Sequence, residues 1–272
     1  MNDAIRQGWT TTKRHKYALV ALFLYRLLWG FFLYRLIDSI VAPVLERFPD
    51  QHPLGAAAKQ IFAIEAQFRL LKTDLADRTL LLLGGMLLLR MLLTPILNAG
   101  LYYSFGHDDD GGGTHVLRGI REAWKKVTLL YAAEKLIALL PTVWIVPFAR
   151  SAYMAEPNVQ AWIGQMLPYA AGWALWMMVV HLPFLFMQFS AAGGASLWQG
   201  AVHALRRLFP LLAVTLLLPL LSLLGAAAVS AASFLWTGLA IIVLNQSFHF
   251  IRTLLSLWTA ACQHRLWLRE DQ

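Results

Sequence analysis

Long apolar runs joined by short polar connections organise this chain from its first residues to its last. A helix crossing a bilayer needs about 20 apolar residues. Six runs meet that length: Tyr17 to Ala42, 79–104, 127–149, 161–188, 208–235 and 238–262. The first follows the basic stretch Lys13, Arg14, His15 and Lys16, as the core of a secretory signal would. It is too long for that role and contains Arg26, Arg35 and Asp38, so it reads as a retained span. Pro43, Pro141, Pro147, Pro168, Pro183 and Pro219 fall near the ends of runs or inside them, where they predict kinks that neighbouring helices can accommodate. The expected fold is all-α: a polytopic membrane helix bundle of six transmembrane helices, forming a single integral membrane domain over 1–272.

The polar connections carry a second pattern. Arg6-Gln7-Gly8, Leu117-Arg118-Gly119 and Trp198-Gln199-Gly200 each open a short stretch that reaches a basic pair and then enters an apolar run. The pairs are Lys13/Arg14, Lys125/Lys126 and Arg206/Arg207. In the second stretch Leu117, Ile120 and Trp124 share one helical face while Arg118, Arg121 and Lys125 lie off it; in the third Leu197, Ala201 and Leu205 are the apolar set. That division predicts helices lying in a membrane interface with their cations toward lipid phosphates. The chain therefore reads as three repeats of interfacial helix plus transmembrane hairpin, over approximately 1–106, 107–190 and 191–272. The loop 45–78 holds one more amphipathic stretch, with Ile61, Ile64, Phe68 and Leu71 at helical spacing, which either lies on the outer membrane surface or caps the span ends. Trp236, Thr237 and Gly238 predict a tight hairpin between the last two runs.

This hairpin unit with its glycine-containing basic lead-in resembles the multi-span membrane domain of bacterial glycerophosphodiester phosphodiesterases and related uncharacterised six-helix membrane proteins. The likeness covers most of the chain and rests on pattern. It implies a membrane-embedded module. The phosphodiesterase activity of those proteins lies in a separate soluble barrel with no counterpart in this sequence, so the resemblance carries over no catalytic residue.

Composition agrees with lipid as the principal solvent: 58% of residues are hydrophobic, 14% are charged and the mean hydropathy is +0.56. The formal charge of +8 does not point to nucleic acid, because no polar domain interleaves basic and aromatic residues. It points to membrane lipids, specifically anionic ones. Lys and Arg are divided unequally between the two sides of a six-span topology. Arg6, Lys13, Arg14, Lys16, Arg118, Arg121, Lys125, Lys126, Arg206, Arg207, Arg265 and Arg269 fall on one side; Arg47, Lys59, Arg69, Lys72, Arg78 and Arg150 fall on the other. The richer side is cytoplasmic. The expected location is the cell (cytoplasmic) membrane, multi-pass, with N- and C-termini cytoplasmic. Cys262 is the single cysteine, which removes intrachain disulfides and cysteine-based zinc sites from consideration.

No zinc-protease, nucleophile-elbow or phosphate-loop motif is present. The stretch His107 to His115 collects acids, glycines and histidines without the alternating carboxylates of a calcium loop, and reads as a solvated turn. No catalytic residue, metal or cofactor is expected. The informative chemistry is inside the spans, where each Arg, Lys or Asp costs about 2.5–3.5 kcal/mol on insertion scales. Five cations, Arg26, Arg35, Arg90, Lys135 and Arg252, face two anions, Asp38 and Glu134. Arg35 and Asp38, three residues apart, are expected to pair. Asn245, His249, Arg252 and Ser256 form a stripe on one helix face. The surplus of positive charge suggests a cavity for an anionic ligand lined by Arg26, Arg90, Glu134, Lys135, His181, Asn245, His249 and Arg252. The competing reading has Lys135 and Arg252 reaching back to the interface and Glu134 pairing with one Arg. Ser222, Ala226 and Ser230 predict close helix packing, within the bundle or toward a homo-oligomer or a membrane-protein partner. Three functions fit: a non-enzymatic module binding anionic lipid or a partner membrane protein, a transporter or permease subunit for an anionic or amphiphilic solute, and a lipid-modifying enzyme using Glu134 with His181 or His249.

Overall fold

Hydrophobic periodicity resolves into helices throughout the computed structural model, which describes residues 2–45, 74–106, 113–155, 159–235 and 239–268. No strand occurs among them. The helices are α1 (Asn2–Arg14), α2 (Lys16–Leu45), α3 (Asp74–Gly106), α4 (Gly113–Leu139), α5 (Thr142–Ala155), α6 (Val159–Gly193), α7 (Leu197–Arg206), α8 (Leu208–Leu235) and α9 (Leu239–Leu268). The amphipathic stretch around Ile61 to Leu71, the acidic turn 107–112 and the hairpin 236–238 lie outside the described residues.

Among the described residues five segments are long and apolar enough to cross a membrane: Lys16–Ser39, Leu81–Gly106, Thr114–Met154, Gln160–Gly193 and Leu208–Phe234. Large apolar side chains on them face outward; Leu81, Trp144 and Phe209 are 76%, 73% and 84% exposed, as on a surface that meets lipid or a partner. By length and composition these helices are those of a membrane protein. α9 is as long as α2 but is not one of the five, and Asn245, Gln246, His249 and Arg252 interrupt its apolar run.

The three lead-in segments do not behave alike. α1 ends before His15, whose ring Nδ1 bonds the Thr11 carbonyl at 2.8 Å, the same oxygen that the His15 amide uses. α7 ends at Arg206, four residues before Pro210, whose missing N–H leaves the Arg206 carbonyl without its helical partner. The second lead-in, expected as a separate interfacial helix, instead runs unbroken into the following span as α4. Nothing between Gly119 and Leu139 interrupts the backbone ladder, and Ala123, Val127 and Leu130 continue one buried face through it.

The chain divides into two compact units. The first, Met1–Val20 with Pro95–Gln272, contains all three lead-ins, and each docks through its glycine. A Cβ at Gly8 would lie 2.5 Å from Cys262 Sγ and 2.9 Å from its backbone nitrogen. One at Gly119 would lie 2.7 Å from Tyr103 Cγ, and one at Gly200 would lie 2.8 Å from the Phe186 carbonyl oxygen. α1 thus seats on α9, α4 on α3 and α7 on α6. Gly194, at φ +76°, ends α6, and the Ala195 amide closes back on the Ser190 carbonyl at 2.9 Å; this left-handed cap turns α7 back along the helix it leaves. Farther along, α4 packs on α6 and α8 on α9. Phe248 of α9 seats against Gly225 of α8.

Beneath these contacts lies an aromatic core. The His264 ring is 5.6 Å from Phe105 and 5.2 Å from Phe189, and Tyr102 meets Phe189 edge-on at 4.7 Å. All four residues are buried.

The second unit, Ala21–Thr94, takes the rest of α2 and most of α3. Within it Tyr25 Oη and Thr94 Oγ1 share a hydrogen bond of 2.7 Å, and the Trp29 ring, 8% exposed, lies edge-on to Tyr25.

Candidate functional site

Glu134 is the one carboxylate buried in a span among the described residues, with 1% exposure. Its position follows from a break in the chain. Pro141 has no N–H to give Ile137, so α4 stops at Leu139; the Leu140 amide closes a tighter turn on the Ile137 carbonyl at 3.2 Å, and the last carbonyls are open to further donors. Two tryptophans of α6 supply them: Trp176 Nε1 donates to the Ile137 carbonyl at 3.1 Å and Trp173 Nε1 to that of Ala138 at 3.0 Å. These bonds fix α4 against α6, one turn beyond Glu134.

Around the carboxylate three donors converge. Lys135 Nζ reaches Oε1 at 2.8 Å, and His181 Nδ1, carrying the proton, donates to the same oxygen at 2.9 Å. Gln188 Nε2 donates to Oε2 at 3.0 Å from a buried position. The ammonium of Lys135 also lies 5.0 Å above the Tyr131 ring. A carboxylate with both oxygens occupied, one by an ammonium, is stable in low dielectric where an unpaired one is not. The side chains of Lys135 and His181 remain 35% and 41% exposed, so the cluster is closed on the Glu134 side and open on the other.

Of the eight residues expected to line an anion cavity, the structure brings together Glu134, Lys135 and His181. Arg26 and Arg90 belong to the second unit, where both are exposed. Asn245, His249 and Arg252 are exposed on α9; the stripe expected to turn inward is turned outward, because the buried face of α9 is set by Thr253, Leu257 and Ala261. Arg35 and Asp38 do not pair: Arg35 is exposed, and a surface pair at this spacing gains little.

Gln188 is absent from the expected set because an uncharged amide in an apolar run has no charge to mark it. It stands seven residues after His181, two turns along one face of α6, and that spacing was the available signal.

A second polar clamp joins α8 to α9, where Gln263 Nε2 donates to Thr215 Oγ1 at 2.9 Å. A third contact joins the first lead-in to α3, where His15 Nε2 meets the Ser104 carbonyl at 3.0 Å. Ser104, Gln188 and Gln263 each precede one ring of the aromatic core, Phe105, Phe189 and His264. No family model, no curated protein and no solved structure matches the chain.

Proposed function

We propose that this chain is a six-span module of the cell membrane, with both termini cytoplasmic, whose basic lead-in helices bind anionic lipid, and that it is not an enzyme. α9 serves as the sixth span. Support for three repeats comes from positions counted from the lead-in glycines. Four residues after each, Thr12, Ala123 and Ala204 are buried; eleven residues after each, Leu19, Leu130 and Leu211 are buried.

The observation that carries the lipid reading is the surface of the lead-ins. Arg118, Arg121, Lys125 and Lys126 are exposed beside Leu117, 69% exposed, and Trp124; Trp198 is 75% exposed on α7, which ends in Arg206. Apolar anchors and cations side by side, on the first turns of α4 and on the short α7, suit a leaflet boundary with anionic headgroups. Lipid identification by native mass spectrometry tests this reading. Protein purified from membranes of mixed composition should carry anionic over zwitterionic lipid, and the triple variant Arg118→Gln/Arg121→Gln/Lys125→Gln should lose that enrichment. Equal lipid ratios in wild type and variant would sink the proposal.

The hydrogen bond from His181 to Glu134 favours a second reading, a lipid-modifying enzyme in which Glu134 orients His181 as a base. The Lys135 ammonium on the same carboxylate oxygen weighs against it by reducing the negative charge available to the imidazole. Lipid products that accumulate with wild type and vanish with His181→Gln would support this second reading.

A further inference from the structure

The open side of the Glu134 cluster has a chemistry of its own. Lys135 Nζ and His181 Nδ1 bond the same carboxylate oxygen, at 2.8 Å and 2.9 Å, so the two side chains are neighbours where α4 meets α6. Each has bonding capacity left. Lys135 carries three N–H donors and gives one to Glu134. A carboxylate only accepts, so His181 holds a proton on Nδ1 and, in the neutral ring, presents a lone pair on Nε2. Among the described residues that nitrogen has no hydrogen-bond partner. A donor and an acceptor thus stand side by side, both part-exposed.

Apolar surface continues from this pair in one direction. α4 and α6 run antiparallel here, since Ile137 and Ala138 meet Trp176 and Trp173 while Glu134 meets His181 and Gln188. Leu139, one turn beyond Lys135, and Met177, one turn before His181, therefore lie on the same side of the pair, and they are 48% and 38% exposed. A polar pair at one end of an apolar strip suits a single-chain amphiphile.

From these features we infer that Lys135 and His181 form a binding site for the carboxyl group of a long-chain carboxylic acid. A protonated carboxyl carries one hydroxyl donor and one carbonyl acceptor on the same carbon, so its O–H donates to Nε2 while its carbonyl accepts from Nζ. A phosphodiester headgroup has acceptors only, which would set an oxygen against the Nε2 lone pair, and the Lys135 charge it would need is already opposed by Glu134. The chain of the acid follows Leu139 and Met177. Glu134 acts as a positioning residue that fixes both side chains and keeps Nε2 outward. The site uses none of the exposed lead-in cations and is independent of the lipid-binding reading.

Equilibrium binding of tritiated palmitic acid to the full-length protein in dodecyl maltoside tests the site, with unlabelled palmitic acid and methyl palmitate as competitors. Wild type should bind the acid saturably; unlabelled acid should displace it, and the ester, which has no O–H for Nε2, should not. His181→Asn keeps an amide donor for Glu134 and removes Nε2; it should weaken binding about tenfold, the loss of one hydrogen bond. Lys135→Gln, which keeps a donor for Glu134 but not the ammonium, should weaken it as well, while Arg150→Gln in α5 leaves it unchanged. Equal displacement by the ester would show that the apolar strip alone holds the chain and would overturn the site. A loss in the Arg118/Arg121/Lys125 triple variant as large as in His181→Asn would assign the binding to the lead-ins and overturn it too. A wild type that enriches anionic phospholipid but binds no palmitic acid would overturn the site and leave the lead-in reading standing.

Discussion

Two polar clamps occupy matching places in this protein and differ in charge. Glu134 lies fifteen residues after Gly119, and Thr215 fifteen after Gly200. Each meets a glutamine on the partner helix, Gln188 at 3.0 Å and Gln263 at 2.9 Å, and each glutamine precedes a ring of the aromatic core. At Thr215 a neutral hydroxyl satisfies the glutamine. The fold therefore requires only an acceptor at this position, and the carboxylate at Glu134 exceeds that requirement. What it adds is a hold on Lys135 and His181, the half-exposed pair on the open side of the cluster. Helix packing accounts for both glutamines. It does not account for the charge.

The largest effect should come from removing that charge. Glu134→Ala leaves Lys135, His181 and Gln188 around an empty acceptor site, and breaking a buried pair in this way costs about 3–5 kcal/mol. Denaturation in a graded detergent mixture, followed by circular dichroism, should show Glu134→Ala far less stable than Glu134→Gln, which keeps an acceptor for Gln188. Equal stability of the two would mean that the carboxylate is no more than a hydrogen-bond acceptor, and the contrast between the clamps would collapse.

Next in size are the glycines that precede the clamps. Gly119→Ala forces a methyl against Tyr103, and Gly200→Ala forces one against the Phe186 carbonyl. Overpacking of this kind costs about 1–3 kcal/mol. If the two segments are equivalent, both variants should lose stability to a similar extent in the same assay. A loss at Gly200 with none at Gly119 would show that the unbroken α4 carries its lead-in without docking.

The smallest effect belongs to the neutral clamp. Thr215→Val leaves the Gln263 amide without its acceptor at a part-buried position and should cost about 1 kcal/mol, whereas adding Gln263→Leu should restore most of it, since removal of both partners of a neutral hydrogen bond is nearly free. No corresponding rescue is expected from Gln188→Leu in Glu134→Ala, because Lys135 and His181 would still lack their partner. A rescue there would make the two clamps equivalent.

Composition and period were enough to read an all-helical membrane chain, its apolar runs and the glycine-marked basic lead-ins, since each follows from local pattern and from the length needed to cross lipid. Part of the candidate site was legible for the same reason: Glu134 and Lys135 stand out as charges in an apolar run, but the partner expected for Glu134 was an arginine and the structure gives it Lys135. His181 was legible as an ionisable residue, but its proton donation to Glu134 depends on how α4 and α6 align, which Trp173 and Trp176 set by capping the end left open at Pro141. Gln188 was hidden because an uncharged amide in a span becomes informative only when its partner is known. The same limit applies to the stripe on α9. Its spacing identified a common face, but which face of a helix is buried depends on what packs against it, and Thr253, Leu257 and Ala261 take that role while Asn245, His249 and Arg252 turn outward. Periodicity is a property of one helix and can be read along the chain. Burial and pairing are properties of two, and only the tertiary structure decides them.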